Sequence, residues 1–254
     1  MSGLILRDDD IYKGDLILVN AKHPVRRKPK RNMIPLALNK RGVLMEVRAA
    51  TMYTQLMREI GHSDEIIPVS GYRPVFEQEA IYRESVKQNG EEFTKRYVAL
   101  PGRSEHQTGL AIDVGENKKN VDFLCPEFPH TGIYGRFRER AARYGFIERY
   151  GKDKEGITGI AYEPWHFRYV GYPHAEIIRE KGICFEEYIE LLKNYRETGS
   201  RFIYRHNMRK VEIFYVPFDG SSVALEIPEA APYQVSGNNV DGFVVTVFCD
   251  SGFN

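Results

Sequence analysis

The stretch SEHQTGLAIDVG, residues 104–115, decides how this sequence is read. With LPGR before it, its first half is dense in turn formers and predicts a loop, while LAIDVG (110–115) predicts a strand. A loop-to-strand turn can aim His106 and Asp113 at one point, and neutral imidazole with carboxylate suits zinc. Asp113 is flanked by Ile112 and Val114, so its carboxylate needs a partner if its side of the strand is buried. Taken alone, His-x6-Asp is a weak pattern, and a lone histidine is more often satisfied locally than bound to a metal.

A third ligand has to come from elsewhere, and His166 in EPWHFRYVG (163–171) is the best placed. Two histidines, one carboxylate and a water give the open set of a catalytic site, not the closed set of a structural one. Glu163 precedes His166 by three positions, but Pro164 between them argues against the helical H-E-x-x-H arrangement. A turn into a strand could still place Glu163 beside the metal's water as a general base. Upstream, EIIPVSG (65–71) predicts a buried strand, and Arg73 at its end is a cation suited to an oxyanion.

The 254 residues suffice for one large domain, or for a domain with a small appendage. A formal net charge of +1 provides no global field for nucleic acid or acidic lipid. The basic segment RRKPKR (26–31) is expected to be a solvated loop. Cys125, Cys184 and Cys249 show no CxxC spacing and are expected as separate reduced thiols. The opening MSGLILRDDD is not a secretory signal, and no window approaches the roughly 20 apolar residues of a membrane span. The expected compartment is the cytoplasm.

DLILVN (15–20) is expected as a strand. Leu44, Val47, Met52, Leu56 and Ile60 predict an amphipathic helix stopped by Gly61, and Glu77 to Asn89 a second one closed by Gly90. Further helices are expected over 136–144, after Pro173 and over 185–195, with strands at 146–148 and 165–170. His62, His130 and His174 are expected near helix ends or turns, exposed. From about residue 200, VEIFYV, SVALEI and GFVVTVF change the texture to short strands. The expected division is therefore 1–199 for the main domain and 200–254 for a small β-rich appendage, most simply a cover for a sheet edge.

Three clusters occur in order: Ser70-Gly71-Tyr72-Arg73 with Gln78, Ser104-x-His106-x-x-Gly109-x-Ala111-x-Asp113, and Glu163-x-x-His166. Together they resemble the signature of the VanX/VanY-type zinc D,D-peptidases, over roughly residues 15–195. The resemblance implies an α+β fold, a Hedgehog/D,D-peptidase-like antiparallel sheet flanked by helices. It implies Zn2+ on His106, Asp113 and His166, Glu163 as general base and Arg73 as the oxyanion's cation. Gln78 and Ser104 would hold the substrate, and Trp165 would line or support the site. Pro74 departs from the pattern, standing where a small polar residue is common. The wording is most similar to the bifunctional VanXY branch, which implies cleavage of D-Ala-D-Ala dipeptide and removal of the terminal D-Ala of pentapeptide precursors in vancomycin-type resistance. Two other readings stay open: a cell-wall L,D- or D,D-carboxypeptidase or endopeptidase acting on mature peptidoglycan, and a non-enzymatic Hedgehog-like zinc module. No nucleic-acid partner is implied, and the sequence assigns no oligomeric state.

Overall fold

The structure, a computed structural model, describes residues 2–26, 32–36, 42–61, 64–206, 209–227 and 231–250. Residues 27–31 of the basic segment and His62 lie outside them. The chain opens with β1 (Ser2–Leu6). The antiparallel pair β2 (Met33–Pro35) and β3 (Leu44–Glu46) precedes α1 (Val47–Glu59). Next come β4 (Ile66–Ser70), α2 (Val75–Tyr97), β5 (Ala111–Glu116) and α3 (Gly132–Ala141). β6 (Phe146–Tyr150), the single-turn α4 (Glu155–Thr158), β7 (Glu163–Tyr169) and α5 (His174–Lys181) follow. After α6 (Phe185–Leu192) the chain is all strand: β8 (Phe202–His206), β9 (Arg209–Pro217), β10 (Val223–Ile227), β11 (Tyr233–Gly237) and β12 (Gly242–Asp250). Among the described residues, no helix is long and apolar enough to cross a membrane.

By its contacts the chain forms two units, one of Val19–Cys184 and one of Met1–Leu18 with Phe185–Asn254. The first holds an antiparallel sheet of order β4-β5-β7-β6. Successive side chains of a strand point to opposite faces, so Ile112 and Val114 share one face of β5 while Asp113 takes the other. On β7 the aromatic side chains of Phe167 and Tyr169 build the apolar face. Phe167 lies 4.9 Å from the Phe137 ring of α3, and Tyr53 of α1 meets Phe137 at 6.2 Å and Phe146 at 6.5 Å. Edge-on aromatic packing of this kind favours one arrangement of helices over sheet.

The elements start and stop for local reasons. Glu46 caps α1, its carboxylate accepting from Arg48 N at 2.9 Å and Ala49 N at 3.1 Å. Leu56 and Ile60 are buried, as the periodicity predicts, whereas Val47 is exposed and Leu44 belongs to β3. Gly90 does not close the second helix: it breaks the regular geometry with φ +83°, and helix resumes as far as Tyr97. DLILVN is buried but is not a strand. Its polar groups are satisfied outside any ladder, Leu16 N by Ser236 Oγ at 2.9 Å and Leu18 N by Asn238 O at 3.0 Å. His174 is buried and not exposed, and burial drives its pKa down to about 3. Cys125, Cys184 and Cys249 are not joined in disulfides.

The second unit contains the sheet β11-β12-β9-β8 and the pair β1-β10. Leu6, Ile11, Phe214, Val216, Leu225, Phe243 and Val245 meet in one apolar core. Its limits differ from a break at residue 199. β1 pairs with β10 from Ser2↔Ile227 to Leu6↔Val223, and Tyr215 N donates to Tyr195 O at 2.7 Å. The first strand and the segment after α6 are thereby tied to the late strands.

Phe137 is fully buried among Tyr53, Phe128 and Phe167. Phe137→Ala is expected to destabilise the Val19–Cys184 unit by about 3–5 kcal/mol, read as a lowered denaturation midpoint followed by a probe within that unit.

Candidate active site

The candidate ligand set is assembled by strand register. β5 and β7 are antiparallel neighbours in which Asp113 and His166 stand directly opposite each other, so both side chains leave the same face of the sheet. His166 Nδ1 lies 2.8 Å from Asp113 Oδ1. His106 arrives from the 3-10 turn Glu105–Thr108, its Nε2 3.1 Å from Asp113 Oδ2. That turn is held by itself: Thr108 Oγ1 donates to Glu105 O at 2.6 Å and accepts from Leu110 N at 3.1 Å. It ends on Gly109 at φ +74°, where a Cβ would stand 2.5 Å from Met33 Sδ.

His106 is aimed from behind. Its Nδ1 sits 2.6 Å from the carbonyl of Gly71. A carbonyl only accepts, so Nδ1 carries the proton and Nε2 presents a lone pair. The approach needs glycine, because a Cβ on residue 71 would lie 2.2 Å from Leu44 O. His106 Nε2 is buried and makes no hydrogen bond, even to the nearby Asp113 oxygen. One donor atom each from His106, Asp113 and His166 falls within 4.8 Å of the others, and all three residues are buried. Tetrahedral zinc with ligands at about 2.0–2.2 Å sets its donors about 3.4 Å apart, so the group fits such an ion in donor chemistry and spacing.

Glu163, the first residue of β7 and paired with Tyr150, is buried with Oε2 3.8 Å from His166 Nδ1. Arg138 holds this strand end, donating to the Pro164 carbonyl at 2.7 Å and pairing with Glu148. Arg73 is buried, its Nε has no hydrogen-bond partner, and its main-chain N–H donates to His106 O at 3.2 Å. Gln78 is anchored by Nε2 on Ala99 O at 2.7 Å, with Oε1 left without a partner. Arg73, Gln78, Ser104, His106, Asp113, Glu163, Trp165 and His166 all line one pocket.

Burial in this pocket sorts the protonation states. Burial raises the Asp113 carboxyl, but His106 and His166 more than reverse this and hold it well below its ordinary range. Burial pulls His106 down to about 4, leaving it neutral near pH 7. For His166 burial acts downward too, yet Asp113, Glu105 and Glu163 together push it up to about 9. Burial, with the Asp113 charge adding to it, raises Glu163 to about 8 against the pull of His166 and Arg73.

Three charged residues of this region escape the sequence reading. Glu105 is fully buried, and its Oε1 accepts from Arg149 Nε at 2.9 Å and Arg168 Nη1 at 2.8 Å, both arginines being buried as well. In sequence Glu105 sits among turn formers and looks solvated. Alternation was the available signal, since Arg168 lies two positions from His166 on the same face of β7.

The family model described as VanY, D-alanyl-D-alanine carboxypeptidase, matches residues 42–172. The chain is 42% identical over 179 residues to the bifunctional D-Ala-D-Ala dipeptidase and D-Ala-D-Ala carboxypeptidase VanXYC of Enterococcus gallinarum, covering 70% of this chain and 94% of that relative. The solved structure of the vancomycin resistance D,D-dipeptidase VanXYg, in complex with a D-Ala-D-Ala phosphinate analogue, superposes with a TM-score of 0.95 at 46% identity, over 98% of this chain and 99% of that one. A mutant of the vancomycin resistance D,D-pentapeptidase VanY in complex with Zn(II) superposes with a TM-score of 0.58 at 34% identity, over 69% of this chain and 98% of that one. The matched stretch carries the converging residues from Arg73 to His166, and the chain belongs to the VanY family of D-alanyl-D-alanine carboxypeptidases.

Proposed function

We propose that this protein is a zinc-dependent D,D-peptidase of the cytoplasm, hydrolysing D-Ala-D-Ala dipeptide and removing the terminal D-Ala of pentapeptide precursors in vancomycin-type resistance. The observation that carries the reading is that Glu163 and Arg73 share one buried pocket with His106, Asp113 and His166. A module that only stored zinc would need neither a carboxyl held near a neutral pKa nor a buried guanidinium beside the ligands. Similarity to relatives named as dipeptidase and carboxypeptidase supports the substrate class.

His106, Asp113 and His166 would hold the zinc ion, which when bound would supply Lewis acidity and a water acidic enough to act near neutral pH. Glu163 receives the proton from the attacking water on its carboxylate and passes it to the departing D-Ala nitrogen. Arg73 balances the negative charge that develops on the former carbonyl oxygen. Gln78, with Oε1 unpartnered, and Ser104 hold the peptide's terminal D-Ala, while Trp165 walls the pocket against water. A neighbouring cavity of about 340 Å³, bordered by Tyr82, Leu100 and Arg103, shares Val98, Ala99, Tyr150 and Ile160 with this pocket. It offers room for the stem of a longer substrate on the acyl side.

Purified protein should release D-Ala from both the dipeptide and the pentapeptide precursor; release from the pentapeptide alone would remove the dipeptidase half of the reading. Glu163→Gln should lower kcat at least about 10²-fold while zinc still binds, since Glu163 lies outside the ligand group. Zinc uptake should also depend on pH. Near pH 7 Asp113 and His106 are ready as ligands, whereas His166 carries a proton that the metal must displace. Apparent zinc affinity should therefore rise from pH 6 towards 9, with at least about one proton released per ion, measured calorimetrically in buffers of different ionisation enthalpy. Affinity independent of pH across that range would contradict the ligand assignment.

A further inference from the structure

Each ring nitrogen of His166 faces a carboxylate. Nδ1 lies 2.8 Å from Asp113 Oδ1 and 3.8 Å from Glu163 Oε2, inside the ligand group. Nε2 lies on the far side of the ring, 3.5 Å from Glu105 Oε2. A neutral imidazole has one protonated nitrogen and one lone pair, so a metal-facing Nδ1 requires the proton on Nε2. Next to that proton stands a carboxylate oxygen that is buried and has no hydrogen-bond partner of its own.

The other oxygen of Glu105 is engaged. Oε1 takes both arginine donors, Arg149 Nε and Arg168 Nη1, and both guanidinium side chains are wholly buried. An ion triad serving only the fold would leave no reason for one carboxylate oxygen to stay unpaired in the interior, where an unmet acceptor is costly. The arginines also offset the negative charge that Glu105 would otherwise add beside Asp113 and Glu163. We propose that Glu105 is a positioning residue which accepts the Nε2–H of His166, fixing the tautomer that turns Nδ1 toward the metal, with Arg149 and Arg168 clamping the carboxylate in place. The proposal rests on His166 being a metal ligand, and its test separates the two.

Glu105→Gln is a sharp probe because the arginines dictate how the amide sits. Two donors already occupy Oε1, so the amide oxygen faces Arg149 and Arg168 and the NH2 faces His166. Nε2 is then asked to accept, and the proton moves to Nδ1, where it blocks ligation. With the full chain, zinc affinity measured by chelator competition should fall about 10–100-fold in Glu105→Gln, and Asp113→Ala should abolish tight binding. Wild-type affinity in a Glu105→Gln protein that keeps its circular dichroism spectrum would overturn the proposal. Independently of any variant, 15N spectra of histidine-labelled, zinc-loaded wild-type protein should show His166 protonated at Nε2 and metal-bound at Nδ1. The opposite assignment would overturn the proposal even if Glu105→Gln failed to fold. Absence of zinc binding by the wild-type chain, by contrast, would sink the metal reading itself.

Discussion

Asp113 and His166 face each other across β5 and β7, and that one register fixes the geometry of the site. A slip by one residue in either strand would turn its site-facing side chain into the aromatic core and a core residue into the pocket. Both faces therefore enforce the same alignment: Ile112, Val114 and Phe167 need the core as much as the metal group needs its carboxylate and imidazole. The packing of Phe137 against Phe167 and the chemistry on the opposite face are two readings of the same pairing.

Around that pair, the protein gathers more buried charge than an apolar interior tolerates. Asp113, Glu163 and Glu105 are set against Arg73, Arg149, Arg168 and two histidines, all with little or no exposure. Removing any one partner would strand another without compensation. The charges are graded by environment: Asp113 is held ionised by the histidines, Glu105 by two arginines, and Glu163 is left nearer neutrality by burial. Three carboxylates in one pocket thus sit in three electrostatic environments without differing much in chemistry.

The residues that meet in the pocket were legible because their types and order stand out in the sequence. His106, Asp113, Glu163 and His166 form a recognisable set, and Arg73, Gln78, Ser104 and Trp165 line the pocket with them. The helix over 47–59 was legible from apolar spacing, while the one expected over 136–144 opens earlier, at Gly132, and gives way at Ala142 to a 3-10 turn that Gly145 closes. What sequence hid depends on distant partners. Glu105 reads as a solvated turn residue until Arg149 and Arg168 are placed beside it. DLILVN has the composition of a strand but finds its hydrogen bonds at Ser236 and Asn238. β1 became a strand because β10 offers it an edge. Glu105 lies 44 and 63 residues from its arginines and Leu16 lies 220 from Ser236, beyond the reach of any local pattern.

That separation orders the chain in time. Val19–Cys184 is a contiguous stretch that holds His106, Asp113 and His166 together, so it can close as soon as it has left the ribosome. Residues 2–6 precede that stretch but find their partners at 223–227, which are made after it. Without them the Ser2–Leu6 segment lacks the edge that makes it a strand, and water has to satisfy its backbone groups.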